Sequence, residues 1–116
     1  MSTTTPTVLT FGDLDLRGPS GAVWGLDSEQ LNANLVVVRE GDTLPEHVNG
    51  EVDVLMVVTG GRGSVTVDGA PVDIADDTLV LIPRGARRSV SATTTLSYLT
   101  IHVRRSGLDI SATTRD

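Results

Sequence analysis

The 116-residue chain contains no cysteine. That excludes disulfides, thiolate nucleophiles and thiolate metal ligands. It also contains no lysine, because all nine cationic residues are arginine. Schiff-base chemistry and the phosphate-binding lysine of P-loops are therefore excluded. Aromatic residues are scarce, with one Trp, one Tyr and one Phe. A core must then be assembled from Val, Leu and Ile. No basic stripe is present, since Arg87-Arg88 and Arg104-Arg105 are isolated pairs. With a net charge of −6, the chain's field repels nucleic acid and anionic membranes, so neither is expected as a partner. No run approaches the roughly 20 apolar residues of a membrane helix. The start, Met1-Ser-Thr-Thr-Thr-Pro6, lacks the basic and apolar segments of a secretory signal. A soluble cytoplasmic protein is the expectation.

What is abundant is strand signal. Runs rich in Val, Ile, Leu and Thr cover residues 35–38, 52–58, 65–67, 78–82, 89–90 and 96–103. Gly, Asp, Asn and Pro break them at the rhythm of all-β sandwiches and barrels. No window sustains a helical period. Asp68-Gly69 has the composition of a two-residue hairpin turn with positive φ at both positions. Gly60-Gly61-Arg62-Gly63 marks a second tight turn. Val52–Val58 is apolar at nearly every residue, which predicts a strand covered on both faces. The expected organisation is one domain over residues 7–112, with disordered ends at 1–6 and 113–116. A closed barrel suits such a chain because it buries aliphatic side chains and leaves no sheet edge.

From Gly41 the chain reads Gly-Asp-Thr-Leu-Pro-Glu-His47-Val-Asn49-Gly-Glu51-Val-Asp53, then six residues to Gly60. This resembles the first sequence motif of the cupin superfamily. Pro83-Arg-Gly85-Ala-Arg-Arg88 resembles the second. The resemblance spans residues 31–105 and implies a small antiparallel β-barrel, the double-stranded β-helix or jelly roll. In metal-binding cupins two His and one Glu of the first motif meet one His of the second. Here the resemblance retains only His47. Asn49 stands for the second His, Asp53 for the Glu and Arg88 for the last His. If the motif closes on Gly61 instead of Gly60, Val54 takes the Glu position. Shared strand parity of positions 47, 49, 51 and 53 favours Asp53.

The substitutions decide the expected chemistry. An amide oxygen is a weak ligand for transition metals, and a guanidinium has no lone pair to give. Arg88 would place a fixed positive charge where the metal's charge would sit. No cofactor is therefore expected; if a metal were held, His47, Asn49 and Asp53 would be its ligands. Arg88 shares parity with Val90 and Ala92 and should enter the barrel. There it either clamps a ligand carboxylate or phosphate or forms a buried ion pair with Asp53 or Glu51. His47 is a candidate general acid–base or a hydrogen-bonded barrel residue. Asn49, Asp53, Arg88 and Glu51 are the candidate ligand-binding residues, with Glu51 equally at home in solvent. His102 is expected outside the barrel, because Leu99, Ile101 and Val103 form the apolar face of its strand. Leu55, Val57, Leu79 and Leu81 are expected to wall the pocket. Trp24 fits a pocket wall, a barrel end or an interface.

The function expected is a metal-free barrel that binds a small anionic organic metabolite at its mouth. The alternatives are a small isomerase, cyclase or dehydratase using His47, and a metal-dependent oxygenase. The apolar runs 35–38 and 52–58 are compatible with a homodimer.

Overall fold

The computed structural model describes residues 5–104. The chain ends 1–4 and 113–116, expected to be disordered, lie outside the described residues, as do Arg105 and residues 106–112. Thr5 and Pro6 are exposed and belong to no element.

Among the described residues, nine strands follow a single 3-10 turn at Phe11–Asp13. They are β1 (Gly21–Asp27), β2 (Leu31–Val38), β3 (Thr43–Val48), β4 (Val54–Gly60), β5 (Arg62–Val67), β6 (Ala70–Ala75), β7 (Leu79–Ile82), β8 (Arg87–Ala92) and β9 (Leu96–Val103). One sheet has the order β1-β2-β9-β4-β7 and the other β3-β8-β5-β6. Every paired strand is antiparallel. This is the jelly-roll arrangement that the motif resemblance implies, and its all-β character is the one expected from the strand rhythm. No described helix is long and apolar enough to cross a membrane.

The turns follow from their residues. Asp68 and Gly69 both have positive φ, +49° and +84°, and Val67 pairs with Ala70 on either side. That is the two-residue hairpin the sequence signals. Gly61, at φ +83°, carries the chain directly from β4 into β5. A Cβ there would lie 2.0 Å from the Thr95 carbonyl oxygen, and one at Gly63 would lie 2.1 Å from that of Ser91. Both glycines are needed for close approach, and Gly61 for its conformation as well.

The core lies between the sheets. Val54, Met56 and Val58 of β4, Leu96 and Tyr98 of β9, and Ile82 of β7 meet Val65, Ile74, Val90 and Ala92 of the second sheet. Aliphatic residues dominate it, as the shortage of aromatics requires.

Strand faces differ from expectation in three places. On β9 the buried side is Leu96, Tyr98, Thr100 and His102, while Val103 is 57% exposed. His102 is therefore inside, 6% exposed, with Nδ1 2.7 Å from the Val103 carbonyl oxygen. On β4 only Val54, Met56 and Val58 are fully buried; Leu55 and Val57 are half-buried on the outer face. Leu79 and Leu81 also point outward, at 59% and 56% exposure. None of Leu55, Val57, Leu79 and Leu81 walls the pocket. On β4 and β7 both faces are apolar, so period-two hydrophobicity carries no sign; on β9 the more apolar face is the outer one, and the inner face carries Thr100 and His102. Strands β1, β3 and β6 lie outside the runs read as strands. Gly, Pro and Asp interrupt them, and bulges break the alternation in β1 and β3.

Candidate functional site: a polar cavity at the barrel mouth

A cavity of about 340 Å³ opens between β1, β2 and β9 on one side and β3 and β8 on the other. Its construction begins with two rungs of the first sheet. Val36 pairs with Tyr98 and Asn34 with Thr100, so all four face inward together. From the second sheet come Leu44, paired with Val90, and His47, paired with Arg88.

Leu44 and His47 are three positions apart, which would place them on opposite faces of a regular strand. A register shift between them, at Pro45-Glu46, turns both inward. Proline is tolerated in a strand at such a bulge, and a bulge re-aims the side chain that follows. His47 thereby enters the cavity with its Nε2 buried.

Beyond His47 the parity argument fails, because β3 ends at Val48. Residues 49–53 are a loop, and they do not carry the alternation forward. Asn49 is buried, and its Oδ1 accepts from the backbone N–H groups of Glu51 and Val52, at 3.1 and 3.3 Å. Its backbone carbonyl accepts from Gly85 N at 2.7 Å. Asn49 thus organises the loop and does not line the cavity. Glu51 is exposed. Asp53 is exposed too, and its Oδ1 accepts from the Arg84 backbone N–H at 2.9 Å. The inward residue at the start of β4 is Val54, 1% exposed. So His47 and Arg88 are brought together, and Asn49, Glu51 and Asp53 are placed elsewhere.

This geometry also tests a metal. Of the proposed ligands only His47 reaches the cavity. The Asn49 amide oxygen is engaged by two backbone donors, Asp53 faces solvent, and Arg88 contributes a cation. Among the described residues no three of His, Asp and Glu converge. The residues do not fit the tetrad of a metal-binding barrel.

Arg88 is half-buried and lines the cavity with Tyr98. Burial depresses its pKa, and the nearby Tyr98 phenol partly offsets this. Burial pushes the Tyr98 hydroxyl up to about 12, with Arg88 acting in the opposite direction. The phenol is therefore neutral at physiological pH and available as a donor. The Arg88 guanidinium makes no ion pair with Asp53 or Glu51, and no hydrogen bond or salt bridge with any described residue. Among the described residues Glu46 is the one carboxylate lining the cavity, and it reaches the exposed Arg87 at 3.5 Å.

Sequence reasoning missed Tyr98, Thr100 and Asn34. A signal was available in Asn32-Ala-Asn34, two polar residues at period two in an otherwise apolar strand. Asn34 Nδ2 donates to Asn32 Oδ1 at 2.9 Å. Trp24 lies on the outer face opposite Leu35, because a register shift separates it from the inward Ala22.

Solved structures share this architecture. The cupin domain of Schizosaccharomyces pombe Cnp3 superposes with a TM-score of 0.72 at 17% identity, covering 88% of this chain and 76% of that one. The chain has the cupin fold. BH2720 of Bacillus halodurans matches this cupin barrel with a TM-score of 0.69 at 22% identity, over 89% of this chain and 84% of that one. Salicylate 1,2-dioxygenase of Pseudoaminobacter salicylatoxidans, solved in complex with gentisate, matches with a TM-score of 0.61 at 16% identity. There the shared cupin barrel is 64% of this chain and 20% of that one. No family model matches the sequence, and no curated protein matches it.

Proposed function

We propose that this cupin barrel binds a small organic monoanion of the carboxylate class at its mouth, anchored by Arg88 and without a metal ion. One observation carries the reading. Arg88 is half-buried in a cavity and its guanidinium has no hydrogen bond or ion pair among the described residues. Holding a guanidinium partly out of water without an acceptor is costly, and a bound carboxylate offsets that cost through two parallel N–H···O bonds.

The remaining lining suits the same ligand. Val36, Leu44, Pro45 and Val90 supply apolar wall, while Tyr98, Thr100 and Asn34 supply directed polar groups. A volume of about 340 Å³ is at the small end of ligand cavities. One unpaired cation matches a single negative charge better than a phosphate dianion. Salicylate 1,2-dioxygenase is named for an aromatic acid, which makes benzoate a reasonable first probe.

The test is calorimetric titration with a panel of small monocarboxylates, benzoate included, each beside its uncharged amide. At least one acid should bind ten-fold or more tighter than its amide, and Arg88→Met should abolish the difference. Equal binding of acid and amide across the panel would sink the reading. So would purification of the protein with stoichiometric Fe, Mn, Ni or Zn.

A second reading rests on the pairing of His47 with Arg88 in the same cavity. In it His47 acts as acid–base on a bound acid and Arg88 stabilises developing negative charge, as in an isomerase or dehydratase. His47→Gln separates the two. A binder keeps its affinity and shows no turnover to lose, whereas an enzyme keeps binding and loses turnover.

A further inference from the structure

Asn34 lines the cavity with one of its two polar atoms already assigned. Its Nδ2 donates to Asn32 Oδ1 at 2.9 Å, and Asn32 Nδ2 donates in turn to Asp27 Oδ1 at 3.4 Å. The direction of this relay is set at its outer end. A carboxylate only accepts, so the Asn32 amide turns its NH2 to Asp27 and its oxygen to Asn34. Asn34 then turns its NH2 to Asn32 and is left with Oδ1, which accepts no hydrogen bond among the described residues. Its neighbour on β1 is Gly25, where a Cβ would lie 3.1 Å from that oxygen. The bare glycine keeps Oδ1 uncovered. On the other side Asn34 pairs with Thr100 of β9, a buried cavity residue whose hydroxyl makes no hydrogen bond among the described residues.

We infer that the ligand of this cavity is a hydroxy acid, its hydroxyl held by Asn34 and Thr100 while Arg88 holds its carboxylate. This rests on the carboxylate reading above and adds a second anchor to it. A hydroxyl suits the pair because it can donate to Asn34 Oδ1 and accept from the Thr100 hydroxyl at once. An ammonium would also donate, but Arg88 already puts a cation in the same cavity.

Strand rise sets the separation of the two groups. Arg88 lies beside Tyr98, near enough to oppose the effect of burial on its phenol. Thr100 is two residues further along β9 and on the same inward face. Its rung with Asn34 therefore lies about 7 Å beyond that of Tyr98. A carboxylate and a hydroxyl that far apart are the two ends of a para-substituted benzene ring, or of an extended pentanoate chain. A hydroxyl next to the carboxylate, as in an ortho-hydroxy acid, would stay beside Arg88 and Tyr98 and not reach Asn34. Asn34 thereby sets which hydroxyl position the cavity accepts.

The experiment is calorimetric titration of the full chain, as wild type and as Asn34→Leu. The probes are benzoate, para-hydroxybenzoate, ortho-hydroxybenzoate and the uncharged para-hydroxybenzamide, with pentanoate beside its terminally hydroxylated form. The wild type should bind at least one of the two distally hydroxylated acids about ten-fold tighter than its parent acid. It should also bind para-hydroxybenzoate in preference to the ortho isomer. Asn34→Leu should lose the gain from the hydroxyl and keep its affinity for the parent acid. Should Asn34→Leu fail to fold, Asn34→Ala serves in its place with the same expectation. Acid bound more tightly than amide, but with no gain from a distal hydroxyl, overturns this inference and leaves the carboxylate reading standing. Tightest binding by the ortho isomer, or a gain that survives in the Asn34 variant, overturns it in the same way. Amide bound as tightly as acid, or no binding by any probe, overturns both.

Discussion

His47 and Arg88 stand directly opposite each other on β3 and β8. The pairing exists because a bulge at Pro45-Glu46 rotates His47 to the side that Arg88 occupies. An imidazole and a fixed cation therefore share one cavity, where a metal-binding barrel would bring together neutral and anionic donors.

Removing the guanidinium should relieve the fold while disabling the site. Arg88→Met keeps the chain length and deletes a half-buried charge that has no described partner. The thermal transition should stay level or rise, while affinity for a carboxylate probe should fall about ten- to 100-fold. Thermal denaturation and calorimetry on one preparation check both. A lower Tm with retained affinity would contradict the placement of Arg88.

Asp53→Ala and Glu51→Ala should leave carboxylate affinity within about two-fold, because both residues are exposed and outside the cavity. Asp53→Ala should still cost about 1 kcal/mol of stability, since it removes the acceptor of the Arg84 N–H. Equilibrium urea unfolding measures that cost.

High pH should weaken the fold through the chain's single tyrosine. Tyr98 ionises near pH 10 when unfolded and at about 12 when folded. An acid with a raised folded pKa gives stability that is complete below the unfolded value and is lost as pH climbs towards the folded one. Stability should therefore decline between about pH 10 and about pH 12, by roughly 2–3 kcal/mol in all. The depressed pKa of Arg88 has the opposite sign. Tyrosinate absorbance reads Tyr98 alone, and Tyr98→Phe should flatten the decline.

Core and outer face should separate cleanly in mutational cost. Leu96 is fully buried, and Leu96→Ala should cost about 2–5 kcal/mol. Leu81 is 56% exposed, and Leu81→Ala should cost the isolated chain less than about 1 kcal/mol. Gly61→Ala drives a Cβ into the Thr95 carbonyl and keeps a positive φ. It should destabilise by more than about 2 kcal/mol, whereas Gly69→Ala, with open space around it, should cost about 1 kcal/mol. Denaturant midpoints for the four variants give the ranking directly.

Read alone, the sequence determined the all-β class, most of the strands, the Asp68-Gly69 hairpin, an aliphatic core and the presence of a fixed cation at position 88. These depend on local signals: β-branched runs, turn residues with positive φ, and residue chemistry that no fold can alter. Which face of each strand looks inward was decided only in three dimensions. Strands β4 and β7 are apolar on both sides, so their periodicity left the sign open, and on β9 the more apolar side is the outer one. The bulge in β3 and the loop at 49–53 then broke the parity that linked His47 to Asp53. A bulge is one residue's slip, and a slip of one residue exchanges the two faces of a sheet. Tyr98, Thr100 and Asn34 are consequently cavity residues, and Leu79 and Leu81 surface residues, through strand pairing alone.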